Sequence, residues 1–358
     1  MKLAELLTEC IVGAYMEKFT KITKISPFIS TANIGDYIIQ DYCDEIFSEL
    51  FGDYLGICVP SREKVSKNGA KAILSSDFAF VCGTNLLTSD MLHYRAWGID
   101  LQTPYKIASA ELPRRKLYQI GTIRENLKRF HIILLGAGWG EYQKSPTFYT
   151  RKVLIGLLDR TMLHAVRDSY TEQKLKEIGI HNVINTACPT MWHLTEEFCS
   201  RIPHKKQNIV VTTLTDYRRD EKRDRYLLDL LLSSYQTVYL WLQSFDDMEY
   251  LRQLGYAQCV KIIPPTLKCY DDFLQNSDAD YIGTRLHGGI RALNYKKRAC
   301  IIGVDNRAVE IAKDTGLPMI KREELDSFLR DWIESEQPTC IRIPSDNIRK
   351  WKAQFLRG

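Results

Sequence analysis

The sequence predicts an α/β protein built as two doubly wound parallel-sheet domains facing each other across a cleft. Three observations carry that expectation. Short apolar runs rich in β-branched residues recur along the chain, stretches with helical spacing separate them, and a polar break near the middle is followed by a fresh apolar run. Continuous rather than alternating apolar strands belong to sheets covered on both faces, which is the signature of parallel strands joined by crossover helices. The 358 residues give room for two such units.

In chain order, Leu3-Ala4-Glu5-Leu6-Leu7 reads as the start of an amphipathic helix and Asp36–Leu50 as a longer one. Strands follow at Phe78–Cys82, His131–Leu135 and Leu163–Arg167, and then a helix at Tyr170–Ile178. The segment Glu196–Gln207 carries Pro203-His204-Lys205-Lys206-Gln207, a polar run with a proline, and marks the boundary. Beyond it come strands at Ile209–Thr213, Thr237–Leu242, Val260–Ile263, Asp280–Gly283 and Cys300–Val304, with helices at Arg223–Ser233, Phe273–Asn276 and Leu286–Tyr295. The expected division is an N-terminal domain over 1–200, a C-terminal domain over 207–335, and a final segment, 336–358, that packs back on the first domain. Ile348, Trp351 and Phe355 share one side of that segment with basic residues around them, so the competing expectation is contact with an anionic membrane surface.

Composition narrows the function classes. A 45% hydrophobic share supports sizeable cores and excludes wholesale disorder. There is no uncharged apolar run of about 18 residues and no signal-peptide order at the start, so a soluble, cytoplasmic protein is expected. Ten cysteines are scattered without a Cys-x-x-Cys pair, which fits a reducing compartment and argues against structural zinc. The charge of +5, from 49 basic and 44 acidic residues, is too mild to imply nucleic acid but suits anionic small molecules.

Parallel sheets bind ligands at the C-terminal ends of their strands, so chemistry is sought in those turns. Gly283-Thr284-Arg285-Leu286-His287-Gly288-Gly289 is the most informative. If it is extended through His287, Arg285 and His287 point one way and Leu286 the other. A fixed cation, a titratable imidazole and helix N-terminal amides then meet, with Thr284 and Gly288 beside them, which suits an anionic substrate needing proton transfer. Arg167-Asp168-Ser169 ends another strand, where Ser169 and Glu172 fit a capping box and Arg167 is placed to bind a carboxylate or phosphate. Asn33-Ile34-Gly35-Asp36 opens a helix with Asp36 in its first turn. Gly83-Thr84-Asn85 and Gly136-Ala137-Gly138-Trp139-Gly140 let backbone approach a ligand. The second lacks the spacing of a dinucleotide fingerprint. Cys188 has no base beside it in sequence and reads as structural or lining.

Taken in order from Asn33 to Pro318, these turns resemble the polysaccharide pyruvyl transferase family, above all at Gly283-Thr284-Arg285-Leu286-His287. The resemblance implies a fold similar to two-domain, GT-B-like glycosyltransferases and transfer of pyruvate from phosphoenolpyruvate to two hydroxyls of a cell-surface sugar or its lipid-linked precursor. No cofactor or metal is implied. It assigns Arg167, Arg285, Thr284 and Gly288 to the donor and His287 to the role of general acid. The base is expected at Asp36, and Asn33, Gly35, Thr84, Asn85, Gly138, Trp139, Asn306 and Arg307 are expected to line the acceptor side. The chain departs from the family pattern at Cys82, often Gly, at the Gly136–Gly140 turn, which lacks a following Pro, and at Arg307, which stands where a Lys is frequent. The competing expectations are a nucleotide-sugar glycosyltransferase and a non-catalytic saccharide- or anion-binding relative.

Overall fold

The computed structural model describes residues 19–93 and 131–356. The Leu3–Leu7 stretch and Cys10 lie outside the described residues. Two six-stranded sheets form the frame. The first contains β1 (Thr20–Ser26), β2 (Tyr54–Pro60), β3 (Phe78–Cys82), β4 (Ile132–Ala137), β5 (His164–Val166) and β6 (Val183–Asn185), in the order β2-β1-β3-β4-β5-β6. The second contains β7 (Ile209–Thr212), β8 (Thr237–Trp241), β9 (Lys261–Ile263), β10 (Ala279–Gly283), β11 (Ala299–Gly303) and β12 (Met319–Lys321), in the order β12-β11-β10-β7-β8-β9. All described pairings are parallel. β3, β4 and β10 are buried along almost their whole length, as their unbroken apolar runs require.

β1 hides behind a polar sequence. Its Lys24 is buried, and the ammonium reaches Asp44 at 2.6 Å. Burial opposes that charge, but Asp44 more than offsets it and raises the lysine's pKa. β1 lies between β2 and β3, yet its polar residues leave no continuous apolar run to announce it.

Helix α1 (Gly35–Phe51) belongs to both halves. Its Ile39, Cys43 and Phe47 join the core on one face of the first sheet, whereas Ile38 and Tyr42 pack in a core with Trp241, Tyr270 and Leu286 of the second half. At its start, the Ile34 amide donates to the Gln243 carbonyl at 2.9 Å, so backbone also joins the halves.

The remaining helices, in chain order, are α2 (Lys67–Ser75), α3 (Phe148–Leu157), α4 (Ser169–Glu177), α5 (Glu196–Cys199), α6 (Glu221–Ser234), α7 (Asp246–Leu254), α8 (Leu267–Asn276), α9 (Leu286–Asn294), α10 (Asn306–Thr315), α11 (Leu325–Glu334) and α12 (Ser345–Ala353). On α12 the expected stripe is spent inside the protein. Trp351 is fully buried, with its ring 6.2 Å from Phe80 and 5.8 Å from Trp192, and Phe355 packs at 5.4 Å on Phe78. The first sheet covers this stripe. Among the described residues no helix is long and apolar enough to cross a membrane.

Two measurements probe this frame. Trp351→Ala is expected to cost about 3–5 kcal/mol of stability, as large aromatic truncations in cores do, read from the denaturant midpoint. His164 is fully buried, its Nδ1 accepting from the Leu134 amide at 3.2 Å and its Nε2 facing the Asp159 carbonyl at 2.9 Å. Burial pushes its pKa from 6.5 down to about 4. Above pH 6.5 both folded and unfolded chains hold it neutral. Below that, the unfolded chain binds a proton that the folded chain refuses, so stability falls until about pH 4. The drop in melting temperature between pH 7 and pH 5 is therefore expected to be smaller in His164→Gln than in the wild type.

Candidate functional site

Strand order reverses between β1 and β3 in the first sheet and between β7 and β10 in the second. Such switch points leave a crevice at the strand ends, because the neighbouring connections leave toward opposite faces. Here the two crevices meet. A cavity of about 520 Å³ takes Asn33, Arg62 and Asn85 from the first half and Asp216, Arg285 and Arg307 from the second. Below it lies a recess of about 20 Å³, which reaches Gly35, Thr284 and His287.

Arg285 lies two residues beyond β10, at the N-cap of α9. The helix begins at Leu286, so the turn is not extended through His287 as the sequence suggested. Arg285 and His287 nevertheless both line the recess. The guanidinium is 4% exposed; Nε donates to the Leu214 carbonyl at 2.7 Å, and Nη2 donates to Asp216 at 2.6 Å and Asp247 at 2.7 Å. Its Cζ lies 5.0 Å from the Tyr217 ring centre. Burial opposes its charge, but Asp247, Tyr217 and Asp216 outweigh that and raise its pKa. Nη1 is buried and has no hydrogen-bond partner among the described residues. A buried cationic N–H left open marks a place for an acceptor atom.

Arg307 follows β11. Asp305 takes its Nε at 2.9 Å and its Nη2 at 2.6 Å, and Nη2 also reaches the Tyr217 hydroxyl at 3.0 Å. Against the penalty of burial, Arg307 holds the Asp305 carboxyl below the ordinary range. His287 stands between these cations. Burial first, then the Arg307 and Arg167 charges, push its pKa from 6.5 down to about 3, so the imidazole is neutral here at physiological pH. Its Nε2 lies 3.8 Å from Cys188 Sγ. A base therefore does stand beside Cys188 in space, which sequence adjacency did not reveal. Burial raises the Cys188 pKa and keeps the thiol protonated.

On the opposite side Arg167 is 2% exposed. Nε donates to Asp168 at 3.1 Å, and Nη2 reaches Asn85 and, at 3.5 Å, the Trp139 carbonyl. It sits behind Asn85 rather than on the cavity wall. Gly138 is required there because a Cβ would run into the Arg167 guanidinium. The helix α4 is capped by Asp168, which accepts from the Thr171 amide at 2.7 Å, and not by the expected Ser169–Glu172 box. Glu172 is turned away to accept from the Asn185 amide at 3.0 Å.

Asp36 is 3% exposed. Its Oδ2 accepts from Thr31 at 2.6 Å and from Arg62 Nη1 at 3.1 Å. Burial raises its pKa in spite of Arg62. Asp36 itself lines neither hollow, whereas Thr31 and Arg62 do. Arg62 Nη2 also reaches the Thr84 hydroxyl at 3.1 Å. Thr84, which lines neither hollow, holds φ +81°, a conformation that β-branched residues rarely adopt, so backbone strain is stored beside Arg62.

Of the residues singled out from sequence, Asn33, Gly35, Asn85, Thr284, Arg285, His287 and Arg307 line the hollows. Trp139 does not: its ring is fully buried in the first sheet's core, where the indole donates to Gln143, and its carbonyl accepts at 3.3 Å from Asn306, a residue that lies off the hollows as well. Gly288 also lies off the wall. It is close-packed, with its carbonyl accepting from Tyr270 at 2.9 Å and Gln243 Nε2 in the space a Cβ would need. Arg62 was missed. It sits in Pro60-Ser61-Arg62-Glu63-Lys64, a run indistinguishable from a solvated loop.

A family model described as polysaccharide pyruvyl transferase matches residues 33–306. No curated protein gives a significant match. Among solved structures, a Staphylococcus aureus MnaA–UDP structure is similar with TM-score 0.48 and 13% identity, covering 94% of this chain and 98% of that one. A UDP-GlcNAc 2-epimerase from Methanocaldococcus jannaschii, in complex with UDP-GlcNAc and UDP, is similar with TM-score 0.48 and 10% identity, covering 93% and 98%.

The seat of Arg167 is testable. Gly138→Ala is expected to dislodge the guanidinium and cost about 1–3 kcal/mol by leaving Asp168 and Asn85 unpaired. Gly140→Ala is the control: its added methyl meets only the Leu87 carbonyl at 3.6 Å. Its melting curve is expected to overlie the wild type's.

Proposed function

Because the chain belongs to the polysaccharide pyruvyl transferase family, we propose that it moves the pyruvyl group of phosphoenolpyruvate onto two hydroxyls of a sugar, forming a cyclic ketal. The acceptor in this reading is a unit of a cell-surface polysaccharide or its lipid-linked precursor, met where phosphoenolpyruvate is made, inside the cell. The observation that supports it best is the gathering of arginines from both halves around one imidazole. Arg62, Arg285 and Arg307 line the cavity, Arg167 stands behind Asn85, and His287 is at the floor.

The donor carries a carboxylate and a phosphate, and guanidinium groups on opposite walls suit such a pair. Arg285 Nη1, already buried without a partner, takes one donor oxygen, and Arg307 takes the other end with Arg167 reinforcing the potential. Thr284 belongs to the same donor floor. His287 gives a proton to the methylene carbon, leaving an oxocarbenium-like centre at C2. One sugar hydroxyl adds to C2 and loses its proton toward Asp36 through Thr31, whose hydroxyl already donates to that carboxylate at 2.6 Å. The C2–O bond to phosphate then breaks, and the second hydroxyl closes the ketal. Of the two protons the hydroxyls lose, one balances the new methyl group and one leaves with phosphate.

Neutral His287 must gain its proton as the donor arrives. The donor's negative charge offsets Arg307 and Arg167, two of the influences that hold the imidazole pKa near 3. Binding phosphoenolpyruvate at pH 7 is thus expected to take up as much as one proton, read from the dependence of calorimetric enthalpy on buffer ionisation. The uptake is expected to shrink in His287→Gln, with affinity held within about threefold and phosphate release abolished. An equal uptake in both proteins removes His287 from the acid role. Arg307→Ala is expected to weaken the donor at least tenfold, or about 1.4 kcal/mol. Selective binding of a nucleotide sugar in the same titrations would assign glycosyl transfer instead, and donor binding without turnover would assign a non-catalytic relative.

A further inference from the structure

Beside the charged cavity lies a second one of different chemistry. It encloses about 320 Å³, within the range of about 300–1,000 Å³ usual for small-molecule sites. Thr31, Ala32 and Ser244 line both cavities, so the two are continuous. No charged side chain among the described residues lines the second. Its rim is aromatic: Phe245 is 88% exposed and Tyr37 42% exposed. Phe28 braces the Tyr37 ring edge-on at 5.4 Å. Beside these rings, Gln243 Nε2 and Ser244 Oγ are buried without a hydrogen-bond partner among the described residues.

Exposed rings and unpartnered polar groups along one wall ask for a ligand that has both faces. A pyranose does: its C–H face packs on an aromatic ring, whose face is electron-rich, and its rim hydroxyls give and take hydrogen bonds. A prenyl chain would leave Gln243 and Ser244 unsatisfied at a cost. An anionic sugar would find no counter-charge here, in contrast to the four arginines of the neighbouring cavity (Arg62, Arg218, Arg285 and Arg307).

The wall is also tied to the donor floor. Asp247 Oδ2 accepts from the Gln243 amide at 2.7 Å and the Ser244 amide at 3.1 Å, while its Oδ1 accepts from Arg285 at 2.7 Å. One carboxylate therefore fixes the loop of the uncharged cavity relative to the arginine of the charged one.

We propose that the second cavity is the acceptor's saccharide subsite, taking a neutral hexose unit stacked on Phe245 and Tyr37 with hydroxyls on Ser244 and Gln243. The unit held there presents its neighbour past Thr31 toward the donor. This assignment of the occupant's role rests on the pyruvyl-transfer reading; the binding site itself does not.

The test is saturation-transfer NMR on the full chain. The probes are the methyl glycosides of glucose, galactose, mannose and N-acetylglucosamine, with methyl glucuronoside and farnesyl monophosphate as the anionic and prenyl comparisons. Ring protons of at least one neutral glycoside are expected to show transfer that falls at least fivefold in Phe245→Ala and in Ser244→Ala. Phe328→Ala, at a side chain 55% exposed outside either cavity, is expected to leave it unchanged. Both Phe245 and Phe328 are exposed, so their removal spares the core. No transfer to any neutral glycoside, transfer indifferent to Phe245, or Phe245-dependent transfer only to glucuronoside or farnesyl phosphate would overturn the proposal. Phosphoenolpyruvate is titrated alongside. A Phe245-dependent hexoside signal without phosphoenolpyruvate binding sinks the donor reading and keeps the sugar subsite. Donor binding without a hexoside signal sinks the subsite alone.

Discussion

The guanidinium groups in and behind the cleft are each matched by a carboxylate: Arg62 by Asp36, Arg167 by Asp168, Arg218 by Glu141, Arg285 by Asp216 and Asp247, and Arg307 by Asp305. Burying a cation alone is costly, and the pairing offsets that cost only when geometry and surrounding hydrogen bonds are good. The turns are arranged to supply both. Asp305 caps α10 while holding Arg307, Asp168 caps α4 while holding Arg167, and Asp247 fixes two backbone amides while holding Arg285. Carboxylates at the starts of helices are thus the same ones that keep these cations in place. The cleft's own charges are close to balanced, so an arriving anion must be accompanied by protons or must find donor atoms still open, such as Arg285 Nη1.

Two differently lined hollows meet at Thr31, Ala32 and Ser244. Charge lines one and aromatic and amide surface lines the other, and the partition follows topology. The charged turns end strands next to the two switch points, whereas the aromatic wall comes from the start of α1 and from the turns after β8 and β9. A molecule with an anionic end and a neutral ring would be sorted by the walls themselves.

The central strands were legible because they are buried on both faces and contain little but apolar residues; Phe78–Cys82 coincides with β3. β2, largely exposed, and β6 and β12, with three residues each, carry no such pattern. β1 was hidden by Lys24, whose partner Asp44 lies on α1 and cannot be found from local sequence. In the site, glycines next to arginine and histidine at strand ends pointed to the right turns. Sequence could not tell that Trp139 turns inward, that Arg62 crosses to Asp36, or that Cys188 and His287 are neighbours, because each depends on contacts between segments far apart in the chain.

Helix α1 has one apolar side in each half's core, with Ile39 and Phe47 on one side and Ile38 and Tyr42 on the other. Chain order assigns it to the first half, but its burial does not. Cut at the break before β7, the first piece would expose the Ile38–Tyr42 side to water, and the second would lose part of the floor beneath Trp241 and Leu286. The two halves therefore cannot part at this seam without wetting apolar surface on each. A piece of the chain made without its complement would carry that bare face into solution, where it invites aggregation.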